Sequence, residues 1–93
     1  MATSFNRFEQ VDAPRPDAVT VTLWDEGGEA RGETAGPTDA EDGAPLGLGQ
    51  DGSLTAYQAL VVGCQMANEL GRRVVIVDPN GLWQPGWGQL QRG

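Results

Sequence analysis

The chain has no histidine and no lysine, and its only cysteine is Cys64. Without histidine, a Ser–His–Asp or Cys–His catalytic arrangement cannot be built within it. One cysteine and no imidazole also exclude most zinc and transition-metal sites, and a lone cysteine excludes an internal disulfide framework. No apolar run approaches the roughly 18 residues that a membrane-spanning helix needs. The longest are Leu60 to Val62 and Val74 to Val77. Met1 to Gln10 carries no apolar core of the kind a secretory signal has. These absences set the expectation of a cytoplasmic protein with no membrane contact, no metal and no cofactor.

Basic charge is also scarce. Six arginines stand against 13 acids, for a net charge of −7 over 93 residues. Residues 1–24 carry a net −1, residues 25–51 a net −7 and residues 52–93 a net +1. Phosphate backbones repel such a chain, and no basic stripe offsets that, so direct nucleic-acid binding is not expected. Apolar residues make up 39% of the chain, below the usual share. Glycine (14) and proline (6) are abundant enough to leave part of it irregular.

What is present reads as one small domain. Residues 1–17 have the look of an extended arm: Ala13-Pro14-Arg15-Pro16-Asp17 is held open by two prolines. Phe5 and Phe8, three apart, could dock as one helical turn. Residues 18–90 form the domain, and 91–93 a polar tail. Within the domain, Val19, Val21 and Leu23 alternate with Thr20, Thr22 and Trp24, the period of a strand with one face in a core. Asp25-Glu26-Gly27-Gly28 is a turn, followed by a weak return strand over Glu29–Thr34.

Residues 35–52 read as a long flexible loop rich in glycine, proline and acid, with Asp39, Glu41, Asp42 and Asp51 in it. A helix follows. Thr55 and Gln58 have capping-box spacing, and Gly71 ends the helix after Leu70. Ala56, Ala59, Leu60, Gly63, Ala67 and Leu70 share its core face. Tyr57, Val61 and Val62 spread apolar surface onto its flanks. Arg72 and Arg73 follow the helix end. Val74–Val77 is apolar on both faces and should be a central strand. Asp78-Pro79-Asn80-Gly81 is a turn, after which Leu82-Trp83 should begin a hairpin partner. The sum is an α+β fold: one helix across a sheet of three or four strands, with the acidic loop before the helix. A folded part of only about 60 residues gives a marginal core, so self-association or a host complex is expected to add burial.

Four features invite a functional reading. Gly47-Leu48-Gly49-Gln50-Asp51-Gly52 resembles a dinucleotide-binding fingerprint, G-x-G-x-x-G before a helix, with Asp78 ending the next strand. The resemblance implies a nucleotide-binding module. It departs from the pattern in having no strand evident before Gly47 and in a helix cap that falls after the third glycine. Asp39, Glu41, Asp42 and Asp51 suggest a second role, because acids can imitate phosphates. In size and charge the chain is similar to small acidic phage-encoded inhibitors of nucleic-acid enzymes. Cys64, with no cation within a turn of it, reads as a small buried hydrophobe. The fourth feature is Leu82-Trp83-Gln84-Pro85-Gly86-Trp87-Gly88, two large aromatics on a constrained turn. Tryptophan is enriched at the energetic centres of interfaces. Trp83, Trp87, Tyr57, Val61, Arg72 and Arg73 are therefore the expected partner-binding residues of a non-enzymatic accessory or assembly protein. Its partner would be another protein or a second copy of itself.

Overall fold

The helix is where local chemistry is most explicit. In the computed structural model, which describes residues 7–37, 47–49 and 52–92, α1 spans Ala56–Leu70. Thr55 caps it: its side-chain oxygen accepts from the Gln58 amide at 3.1 Å, and the Gln58 side chain accepts from the Thr55 amide at 2.9 Å. Gly71 closes it in the left-handed region at φ 68°, a conformation that suits glycine.

α1 lies on one face of a six-stranded mixed sheet, so the fold is a small α+β one with more strands than the three or four expected. The strands are β1 (Arg7–Gln10), β2 (Val19–Glu26), β3 (Glu29–Ala35), β4 (Gly47–Leu48), β5 (Val74–Val77) and β6 (Gln89–Arg92). Their spatial order is β4-β3-β2-β5-β1-β6. β2, β5, β1 and β6 are mutually parallel, while β3 runs antiparallel to β2, and β4 to β3. β5 is central, as its apolar faces require.

The extra strands come from segments that read otherwise. Arg7–Gln10, expected within an arm, pairs with both β5 and β6. Phe8 is buried in the main core, which rules out its docking as a helical turn. Gln91 and Arg92, expected in a tail, belong to β6. Leu82-Trp83 begins no hairpin, because β5 has no free edge: β2 and β1 occupy both. Instead both Asp78 carboxylate oxygens accept backbone amides, from Leu82 at 2.8 Å and Trp83 at 2.9 Å. That turns the chain off β5 and across β1, with a single 3-10 turn at Pro85–Trp87. Phe5 and the acids Asp39, Glu41, Asp42 and Asp51 lie outside the described residues.

Two faces of the sheet are used. Val19, Val21, Leu23 and Ile76 pack beneath α1 with Phe8 alongside. Small residues bring the layers close. A Cβ at Gly63 would stand 2.6 Å from Val21 Cγ2, and one at Gly32 would stand 2.7 Å from Ala59 Cβ. The Thr34 hydroxyl, fully buried between the layers, donates to the Ala59 carbonyl at 2.6 Å. Leu70 departs from the expected core face and is 49% exposed, with Met66 buried in its place. Val19 and Val74 begin their strands beneath Met66 and Ala67, so the last helical turn overhangs the end of the sheet.

On the opposite face the β1–β2 connection crosses β5. Val11 and Ala18 pack on Val75, and the Arg15 amide donates to Thr20 Oγ1. Thus the step from β1 to β2 runs one way over this face. The steps from β2 to β5 and from β5 to β6 run the other way over the α1 face. Reversing direction and face together preserves handedness, so the three crossovers share one hand, as the rule for parallel connections demands.

Candidate functional site

The β5–β6 connection carries no α-helix, only the 3-10 turn at Pro85–Trp87, and this shapes the surface. α1 covers β3, β2 and part of β5, and the connection must cover β1 with side chains alone. It does so with the two tryptophans. Trp83 meets Phe8 edge-on, with centroids 5.2 Å apart, and Trp87 meets Trp83 at 5.3 Å and 83°. Trp87 then reaches Tyr57 on α1 at 5.9 Å. The first two contacts are edge-to-face, a favoured arrangement of aromatic rings, and the Tyr57–Trp87 pair is tilted at 43°. Trp83 Nε1 donates to the Gly88 carbonyl at 2.9 Å, which fixes its ring.

Between this aromatic row and α1 runs a groove made of two open depressions that share Phe8 and Cys64. The first, about 350 Å³, is walled by Tyr57, Val61 and Gln65 on the helix side and by Gly86 and Trp87 on the other. The second, about 330 Å³, continues past Ala67 and Asn68 to Arg72 and Arg73. Among the described residues neither is lined by a carboxylate. Tyr57 is 53% exposed and Val61 41% exposed, while Trp83 and Trp87 are each half-buried.

The structure therefore brings Tyr57, Val61, Trp83 and Trp87 to one place. Arg72 and Arg73 line the far end, where they also hold the β1–β2 connection. Arg73 pairs with Glu9 at 3.0 Å and Asp17 at 3.4 Å, and Arg72 Nη1 donates to the Asp17 carbonyl. Cys64 lies half-buried at the junction of the two depressions, and burial pushes its thiol pKa up. A thiol kept protonated is apolar floor rather than nucleophile. Phe8, the other shared residue, escaped the sequence reading because its strand is too short and polar to show a pattern.

The glycine run is placed elsewhere. Gly47 and Leu48 form the edge strand β4, and the Gly52 amide donates to the Gly49 carbonyl at 3.0 Å. Gly49 has φ +89°, and a Cβ there would stand 2.7 Å from the Gly32 carbonyl oxygen. Local packing thus accounts for it. Asp78 lies on the far side of β3 and β2 from this strand and is only 4% exposed, with both oxygens engaged by the turn. The geometry does not assemble these residues into a phosphate-and-ribose site.

A polar cleft lies between β1 and β5. β1 and β5 are adjacent and parallel, and the connections after them leave toward opposite faces. In parallel sheets that junction is the usual place for a ligand. A depression of about 360 Å³ opens there, between Gln10-Val11-Asp12 and Val77-Asp78-Pro79. Its polar groups are engaged within the chain: Gln10 Nε2 donates to the Asp78 carbonyl at 3.2 Å, and Asp12 also has a partner. Among the described residues no three or more Cys, Asp or Glu are grouped to hold a metal, and no helix is long and apolar enough to cross a membrane.

Comparison with protein-family models, with curated proteins and with solved structures returned no match.

Proposed function

We propose that this chain is a non-enzymatic accessory or assembly protein that binds another protein through the groove between α1 and the aromatic turn. The observation that carries the reading is the row Tyr57–Trp87–Trp83–Phe8, packed ring on ring, with Tyr57 and Val61 beside it exposed. Large aromatics on a rigid backbone lose little entropy when they are covered, which is why they dominate binding energy at interfaces. The acidic middle of the chain would act at longer range, steering a basic partner and raising its rate of encounter more than its affinity.

The test is a matched capture from the source cells with the chain tagged at its N-terminus. Wild type, Tyr57→Ala and Trp87→Ala are compared, each shown to be folded by circular dichroism. A stoichiometric partner should be retained by wild type and reduced at least about tenfold by either substitution, as truncating an interface centre does. Equal retention by all three proteins would reject the groove as the binding surface.

A further inference from the structure

β6 is an outer strand, and among the described strands β1 is its only neighbour. An unpaired strand edge is a template for another strand, and proteins normally blunt it with charge, proline or a bulge. Gln89-Leu90-Gln91 has none of these, and the charge on β6 is confined to its last residue, Arg92. The whole stretch from Pro79 to Gln91 holds no ionisable side chain, in a chain of net charge −7. Among the described residues the opposite outer strand is β4, Gly47–Leu48.

The charge distribution selects the occupant. Asp25, Glu26, Glu29 and Glu33 lie on β2 and β3, toward the far side of the sheet from β6. Two copies of an acidic chain repel wherever those acids approach, and they repel least across the neutral edge.

We propose that β6 pairs antiparallel with β6 of a second copy, across a twofold axis normal to the sheet, so that the two sheets become one. Such an axis keeps the two faces of the sheet apart, so a residue opposes itself or one of the same parity. Centring the axis on Leu90 sets it opposite Leu90 of the partner subunit, and Gln89 opposite the partner's Gln91. Leu90 already packs against the main core, so the new leucine pair extends that core across the seam. Gln89 and Gln91 are exposed on the other face and form two amide pairs there. The groove is not consumed, because pairing uses the strand edge.

The test is the mass of the full chain by sedimentation or light scattering from micromolar to millimolar concentration. The expected mass is twice 9.8 kDa at the upper end. Gln89→Glu with Gln91→Glu sets like charges opposite each other twice, which should weaken the dimer about tenfold or more. Circular dichroism checks that each variant keeps the wild-type fold as a monomer. Gln89→Glu with Gln91→Lys keeps the net charge at −7 and sets opposite charges across the seam, so dimerisation should return. A mass of 9.8 kDa at every concentration overturns the proposal, as does a dimer indifferent to the double glutamate. Failure of the Glu/Lys variant to recover overturns the register. The partner-capture result is separate: a monomer that loses its partner through Trp87→Ala rejects the dimer and leaves the groove reading standing.

Discussion

Asp78 anchors the start of the aromatic turn. Its buried carboxylate receives the Leu82 and Trp83 amides, and so directs the chain from the end of β5 toward β1. Charged acceptors make stronger hydrogen bonds than neutral ones, and a part-buried amide left without an acceptor costs stability. Asp78→Ala should lower unfolding stability by about 2 kcal/mol or more, since two such amides lose their partner at once. The same variant should red-shift native tryptophan emission as Trp83 and Trp87 loosen toward water. Chemical denaturation with fluorescence detection checks both. An unchanged midpoint and spectrum would mean that packing alone holds the turn.

At the scale of elements, the helix and the central strands were legible and the flanking strands were not. Thr55, Gln58 and Gly71 mark the ends of α1 by local hydrogen bonding, which sequence spacing reveals directly. β2 shows a clean period of two because one of its faces lies under the helix. β1 and β6 are each four residues long, and their sequences Arg-Phe-Glu-Gln and Gln-Leu-Gln-Arg hold one apolar residue apiece. Their pairing is parallel and spans most of the chain, so no turn signal announces it. Hence three or four strands were expected where the described residues form six, and Phe8 was assigned to an arm although it forms the groove floor. The helix–sheet contact was legible in kind, as a face of small residues, but its partner Gly32 was not. Gly32→Ala should cost about 1–3 kcal/mol, because the new methyl meets the Ala59 Cβ and the Ala56 backbone, neither able to yield. Thermal or urea unfolding measures this. A stabilised variant would show that the helix can lift without penalty.

Over the whole molecule, topology and charge divide the surface. The crossover from β1 to β2 closes part of one face, α1 closes half of the other, and the aromatic turn takes the remainder without sealing it. The six residues singled out from sequence as partner-binding all border that unsealed strip, four of them in or beside the aromatic row. Composition could identify the tryptophans as worth attention. It could not show that Tyr57, in the first turn of the helix, would stand against Trp87, since that depends on a parallel crossover. The most direct test of the groove as the binding surface is site-specific photocrosslinking in the source cells. A photoreactive phenylalanine analogue is placed at position 57, in the groove wall, and in a separate protein at position 33, on the opposite face of β3. The account predicts a discrete crosslinked product from position 57 and none from position 33. Crosslinking from position 33 alone, or equally from both, would contradict it.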